Sequence, residues 1–366
     1  MYLGFMSLHL TSEKGYFTEI ARRAAKYGIS CCRFVPTDIN PSTTLVTGEI
    51  YDSENDCWTT LEFPVPSIIY DRCFYGDDNH SKQCMTIASW LKDRDDIQFL
   101  GYGLPNKLEL YEVLKHSNIS AYLPYSQPVS SPADILHELR KRRKILIKPV
   151  NGSQGSGIFY LENTGNHILV KTEKQRQQIV RTISNKEMAI KWLTELIKKK
   201  KYMIQPYLEL TNDEGFPFDI RVLLQKNELG NWLERGRGIR TGKKGGIISN
   251  LSAGGTVTNF KNWVDSLQFA LQDYLQQELD EILANIPVIL EGAFLPLFEL
   301  GVDIGIDKNG AIWILDINSK PGRKVILATR PEISEQLFEA PLCYASFISQ
   351  SNQKERKRYN EKTLSH

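Results

Sequence analysis

The chain has 366 residues, with 45 Lys and Arg against 43 Asp and Glu and 41% hydrophobic residues. It is too apolar and too evenly charged for disorder and too long for one small core, so two or three packed modules are expected. A net charge of +2 gives no drive toward nucleic acid, six scattered Cys without a C-x-x-C pair exclude a disulfide scaffold or zinc knuckle, and no apolar run reaches the roughly 18 residues of a spanning helix.

Residues 2–8 are short and apolar, with no basic segment and no cleavage pattern around them. They are not a secretory signal, and the cytoplasm is the expected location. Phe17, Ile20, Ala21 and Ala24 have helical spacing, which predicts a helix over 16–27 capped by Gly28. Residues 30–35 read as a strand, 45–63 as a hairpin turning at Asp52-Ser53-Glu54-Asn55, 66–73 as a strand and 84–91 as a helix. This βαβ-like alternation predicts an open α/β domain over 1–104.

Asn106 opens a helix with Leu108, Leu110, Tyr111 and Leu114 on its apolar side. A second helix, 132–143, runs into five consecutive basic residues, 140–144. The β run 145–150 leads into Asn151-Gly152-Ser153-Gln154-Gly155-Ser156-Gly157, and 158–161 resumes as a strand. A helix over 186–200 and a strand over 202–208 follow, then antiparallel partners at 219–225 and 231–238. Glycines crowd 236–255, which predicts a mobile loop region. The clearest amphipathic helix is 264–286. The apolar runs 298–306 and 311–317 flank Asp307-Lys308-Asn309-Gly310, a hairpin signal, and the polar end, 353–366, is read as frayed.

Three clusters carry chemistry. Lys148 closes a strand, and Gly152, Gly155 and Gly157 follow it. Such a loop is either a plain hairpin turn or a flap whose N–H groups converge on phosphates; it matches neither a P-loop nor a dinucleotide fingerprint, because no helix follows. Asp316 and Asn318 point the same way on a strand, and Asp303 lies within cross-strand reach. Three such oxygen donors among apolar neighbours are either strand-end groups with turn partners or ligands for Mg²⁺ shared with phosphates. Arg221, Arg237 and Arg240, with Lys243 and Lys244 nearby, are either solvated or a fork for phosphate and carboxylate oxygens. His9, His80, His116, His137, His167 and His366 share no spacing and are read as structural or surface residues.

In order, these segments resemble the ATP-grasp superfamily over about 104–330. The strongest matches are I-L-I-K-P-V-N-G-S-Q-G-S-G-I and G-V-D-I-G-I-D…I-L-D-I-N-S-K-P-G. The nearer resemblance is to the endospore coat-associated YheC/YheD group, through Y-D-R-C-F-Y at 70–75 and F-L-G-Y-G-L-P-N-K at 99–107. The resemblance implies an α/β (α+β ATP-grasp) chain: an N-terminal α/β domain, 1–104, then two ATP-holding α+β subdomains, 105–205 with the flap and 206–345 with the metal site, and a flexible basic tail, 346–366. It implies that Lys107 and Lys148 hold ATP phosphates, that Gly152, Ser153, Gln154, Gly155 and Gly157 cover them, and that Gln205, Pro206 and Tyr207 meet adenine through the backbone. Glu209 would bind ribose, Asp303, Asp316 and Asn318 would bind Mg²⁺, and Arg221 and Arg237 would face the γ-phosphate or acceptor carboxylate. Arg323 is a further candidate at the acceptor. Asp316 stands where many members of the superfamily have Glu, which keeps the oxygen ligand and shortens its reach.

The implied function is an ATP-dependent carboxylate–amine (or thiol) ligase acting through an acylphosphate, connected with the endospore coat. A catalytically idle nucleotide-binding coat protein and a phosphotransferase are the rivals. The expected partners are ATP, a carboxylate acceptor and spore coat proteins, without nucleic acid or membrane span.

Overall fold

The computed structural model describes residues 1–152, 157–174, 177–249 and 255–363, with side chains up to 351. Ser153, Gln154 and Gly155 therefore lie outside the described residues. The N-terminal unit contains β1 (Tyr2–Met6), α1 (Lys14–Ala24), β2 (Ser30–Phe34), β3 (Ile39–Asn40), β4 (Leu45–Asp52), β5 (Cys57–Pro64), β6 (Ile68–Asp71), α2 (Asn79–Lys92) and β7 (Gln98–Phe99). Its sheet runs β3-β4-β2-β1-β6-β7, with β5 paired to β4, and β1 pairs in parallel with β2 and β6. Gly28 takes φ 63 at the end of the first helical segment, a left-handed conformation that a glycine adopts without strain.

The central unit contains α3 (Lys107–Leu114), β8 (Gln127–Pro128), α4 (Pro132–Arg142), β9 (Lys144–Pro149), β10 (Phe159–Asn163), β11 (Ile168–Lys174), β12 (Gln177–Ile183), α5 (Lys186–Lys199) and β13 (Tyr202–Pro206). Its sheet runs β12-β11-β10-β9-β13-β8. Ile145, Ile147, Leu161 and Ile204 pack with Ile135 and Leu139 of α4 and Leu193 of α5. The strand period of two then turns Leu146 and Lys148 to the other face. β11 and β12 have no counterpart in the sequence reading; they are polar, and β12 is an edge strand.

The third unit contains β14 (Phe218–Lys226), β15 (Trp232–Thr241), β16 (Thr256–Asn259), α6 (Phe260–Asp265), α7 (Phe269–Ala293), β17 (Glu299–Ile306) and β18 (Ile312–Asn318). Its antiparallel sheet runs β16-β15-β14-β17-β18. Ile220, Val222, Leu224, Val302, Ile304, Ile312 and Ile314 bury one face against α7, through Leu275, Leu279, Ile282 and Ile286. Where one amphipathic helix was expected over 264–286, the chain forms two, separated at 266–268, and α7 continues past Pro287. Two helices close the chain, α8 (Lys324–Thr329) and α9 (Ser334–Thr363).

Two further expectations are corrected. Gly236 and Gly238, which both the expected strand 231–238 and the expected loop region 236–255 include, belong to β15, and that strand runs on to Thr241. A Cβ at Gly238 would lie 2.5 Å from Val325 Cγ1, so this glycine admits α8 against the sheet. The segment from 346 is also not a tail at its start. It continues α9, and Phe347 and Ile348 pack on the N-terminal core beside Ala340, Leu342, Tyr344 and Ala345. Among the described residues, no helix is long and apolar enough to cross a membrane.

The units are joined by a buried polar knot. Glu299, at the start of β17, is 1% exposed. Its carboxylate accepts from Arg72 Nη1 at 2.8 Å, Tyr70 Oη at 2.6 Å and Gln225 Nε2 at 3.1 Å, and from Arg323 Nη2. Arg72 also donates two hydrogen bonds to Glu13 and one to the Pro321 carbonyl. Arg323 stacks 3.8 Å from the Tyr16 ring centroid. It thus lies inside this knot rather than at an acceptor. Next to it, buried Asp71 receives Lys320 at 2.8 Å, and burial, which raises its pKa, is outweighed by Lys320 and Lys92, which hold it below the usual carboxylate range.

Removing the central carboxylate leaves two buried guanidinium groups short of an acceptor. Glu299→Ala is expected to lower stability by about 3–5 kcal/mol. A urea midpoint equal to that of the parent chain would show that the knot is not what joins the units.

Candidate functional site

A cleft opens between the central sheet and the third sheet. The site face of β17 follows from its sequence: Val302, Ile304 and Ile306 take the core, so Gly301, Asp303 and Gly305 face the cleft. β18 reaches the same face by an irregularity. Asp303 pairs with Asp316, but Ile304 pairs with Ile314, so Leu315 is an extra residue in the ladder. Strict alternation from Ile312 and Ile314 would send Asp316 into the core. The bulge turns both Leu315 and Asp316 to the cleft and returns Ile317 to the core.

The phosphate-binding candidates come from other elements. Asn106 caps α3, accepting from the amides of Leu108 at 3.0 Å and Glu109 at 3.2 Å, which sets Lys107 at the first helical position. Lys107 Nζ lies 2.5 Å from Asp316 Oδ1. Burial alone would raise Asp316's pKa; Lys107, Lys148 and the Asn318 amide, which donates to Oδ2 at 3.2 Å, hold it down. Lys148 stands on the cleft face of β9. Desolvation, with Lys107 close by, pushes its ammonium down to about 8. Lys107, Lys148, Asp303, Asp316 and Gly152 all line the cleft, and Gly152 and Gly157 have φ of +146 and +78.

The arginine expectation divides. Arg221 is directly opposite Asp303 in the β14–β17 register, with Nη1 3.0 Å from Oδ1. Arg237 pairs with Val222, so it lies on the opposite face of the sheet, bonded to Glu234 and Asp280 and stacked on Phe260. It does not belong to the cleft. Arg240 does: it forks onto Asp219 with both bonds at 2.6 Å and reaches Asp303 Oδ2 at 2.9 Å. Burial opposes its charge, and Asp303 and Asp219 outweigh burial, so it stays firmly cationic. The odd spacing between 237 and 240 is the signal that separates them.

Gln205, Pro206 and Tyr207 line the cleft at its rim, where the central sheet hands over to the third unit. The Tyr207 amide, however, already donates to the Lys144 carbonyl at 3.3 Å. Leu146, Ile158, Leu208, Leu210 and Leu315 make an apolar slot beside this rim. Glu209 is outside the slot, bonded to Lys144 at 3.2 Å and Lys308 at 3.1 Å. Leu210, Leu315, Asp219 and Ser249 are cleft residues that the sequence reading did not assign, and Arg240 it named only within the basic cluster.

The donors suit a hard cation. Asp303 Oδ1 is buried without a hydrogen bond, since Arg221 is close but poorly aligned. Its pKa is raised by desolvation, against the pull of Arg221 and Arg240. Among the described residues no three His, Cys, Asp or Glu side chains group to cage a metal alone. Asp303 and Asp316 pair across β17 and β18, and Asn318 bonds to Asp316; oxygen donors of this kind suit Mg²⁺ shared with phosphate and water.

Comparison with known proteins identifies the family and the fold. A sequence model described as YheC/D-like ATP-grasp matches residues 96–348. The endospore coat-associated protein YheC of Bacillus subtilis (strain 168) is 39% identical over 352 residues, which cover 95% of this chain and 97% of that protein. The endospore coat-associated protein YheD of the same strain is 27% identical over 349 residues, covering 92% of this chain and 74% of that protein. The D-alanine–D-alanine ligase from Coxiella burnetii shares the fold with a TM-score of 0.54 and 12% identity, covering 100% of this chain and 99% of that one. By sequence, the chain belongs to the YheC/D-like ATP-grasp family.

Proposed function

We propose that the protein is an ATP- and Mg²⁺-dependent ligase that joins a carboxylate to an amine or thiol through an acylphosphate, in connection with the endospore coat. The observation that carries this reading is the buried Asp303 Oδ1, beside Arg221 but without a hydrogen bond, in a cleft that also presents Lys107, Lys148 and Arg240. The apolar slot would take adenine, and the backbone at 205–208 would read its edge. Lys107 and Lys148 would hold phosphate oxygens, with Gly152, Ser153, Gln154, Gly155 and Gly157 as the covering flap. Asp303, Asp316 and Asn318 would hold Mg²⁺, which supplies charge neutralisation on the phosphates. Arg221 and Arg240 would orient the acceptor carboxylate at the γ-phosphate and stabilise the charge that develops on transfer. The coat-associated names of the relatives support a coat protein as partner.

The test is product identification by mass spectrometry with ATP, Mg²⁺ and a panel of carboxylates and amines. A ligated product with ADP supports the ligase. A phosphorylated acceptor alone would make it a phosphotransferase, and tight ATP binding without ADP release would make it a nucleotide-binding coat component. In the same assay, Arg240→Met is expected to lower turnover by about 10²–10³-fold, while Arg237→Met leaves it within a few-fold. The reverse ranking would return the γ-phosphate role to Arg237. The double variant Asp316→Ala, Asn318→Ala is expected to lose Mg²⁺-dependent turnover while circular dichroism stays unchanged; retained turnover would remove these residues from the metal site.

Lys148 gives a pH signature. With its pKa lowered to about 8, it is charged below that value and neutral above it. Its attraction for phosphate is therefore present at neutral pH and is lost as pH rises through about 8. ATP affinity is expected to fall about tenfold between about pH 7 and about pH 9, and Lys148→Arg should flatten that profile. Calorimetric titrations with equal affinity at both pH values would exclude Lys148 from the phosphate site.

A further inference from the structure

The near-neutral chain is strongly polarised. Residues 126–206, the central sheet with α4 and α5, carry 16 Lys and Arg against 6 Asp and Glu, a net of +10, so the rest of the chain carries −8 of the total of +2. Much of that charge sits on one surface. α4 and α5 pack on the same face of the central sheet, the face turned away from the cleft. They lead into β9 and β13, which are antiparallel, so the basic end of α4 lies beside the first turn of α5. Arg140, Lys141, Arg143, Lys186, Lys191 and Lys199 are exposed there. None of the six has a salt bridge among the described residues, whereas Arg142 and Lys198 pair with Glu138 and Glu195. Met188, 55% exposed, and Ile190, 39% exposed, lie among the lysines of α5.

We propose that this α4–α5 surface is a docking site for an acidic polypeptide. Charge complementarity selects a polyanion, and the two apolar side chains select its class. A nucleic-acid backbone would use the lysines but offers little to Met188 and Ile190. A membrane needs an apolar helix face to insert, and α5 already spends Ala189, Trp192, Leu193 and Leu196 on its own sheet. An acidic polypeptide brings carboxylates and apolar side chains together. One lysine next to the patch already makes such a contact within the chain, Lys200 with Asp77 of the N-terminal unit at 2.7 Å. The inference goes beyond the proposed reaction, and because the surface is on the far side of the sheet from the cleft, docking and turnover can fail independently.

The test uses the full chain with Mg·ADP present, so that the cleft is not the binding site for the probe, and poly-L-glutamate as the probe. Binding is expected at low salt and should weaken as salt rises. The variant Arg140→Glu, Lys186→Glu, Lys191→Glu, Lys199→Glu is expected to bind at least about tenfold more weakly, while Lys14→Glu, Lys261→Glu binds as the parent does. Should the fourfold variant not fold, the pair Lys186→Glu, Lys191→Glu serves, with a severalfold loss expected. No binding, or equal loss in both variant sets, would overturn the proposal. Tighter binding of anionic vesicles or duplex DNA than of poly-L-glutamate would overturn the polypeptide assignment. Concentration-dependent self-association that the fourfold variant abolishes would assign the surface to a second copy of the chain.

Discussion

The buried carboxylate of Glu299 is the constraint on which the rest of the arrangement depends. A lone carboxylate with 1% exposure would be neutral or would unfold its surroundings. Here Arg72 and Tyr70 come from the N-terminal unit, Gln225 from β14, and Arg323 from the segment after β18. If the units separate, Glu299 keeps Gln225 and Arg323 but loses Arg72 and Tyr70, the two partners that the N-terminal unit supplies. The loop that leaves Asn318 is fixed in the same way: Ser319 accepts from the Leu104 amide, Lys320 reaches Asp71, and the Pro321 carbonyl accepts from Arg72. The N-terminal unit lends no side chain to the cleft, yet it sets where one wall of the cleft ends.

Within the cleft, charge is balanced without a ligand. Asp316 is answered by Lys107, and Asp303 by Arg221 and Arg240. The balance is incomplete at two points, Asp303 Oδ1 and the desolvated Lys148 ammonium. Asp303 Oδ1 has Arg221 beside it but no aligned hydrogen bond, and Lys148 has Asp316 and Asp303 within electrostatic range but no ion pair among the described residues. Under the proposed function, these are the two places where a magnesium–phosphate group would gain most.

Much of this was legible in the residues. Lys148 ends an apolar strand, Asp303 stands in an alternating run and Asn106 is a helix cap, and each pattern fixes a side chain's direction locally. What failed was whatever depends on a distant partner. Arg237 and Arg240 look interchangeable in R-G-R-G-I-R, and only pairing with β14 decides that the even-numbered one faces Asp219. The glycines of β15 fall within both a strand reading and a loop reading, because the helix that needs their missing side chains, α8, lies some ninety residues further on. β11 and β12 break up their apolar residues with Lys, Thr, Glu, Gln and Arg, so no clear strand pattern stands out, although Ile168, Val170 and Ile183 pack on the central core. Asp316 reached the right face by way of a bulge that the sequence pattern does not mark.

The packing of α9 against α1 has a consequence for biosynthesis. Phe5, Phe17 and Ile20 share one core with Ala340, Leu342, Tyr344 and Ala345, and Arg23 and Tyr27 bond to Glu335 and Glu339. Arg23 and Glu335 stand 312 residues apart, so the segment that covers α1 is made long after α1 itself. Until α9 arrives, the apolar face of α1 and β1 that it covers has no partner from this helix and is open to chaperones.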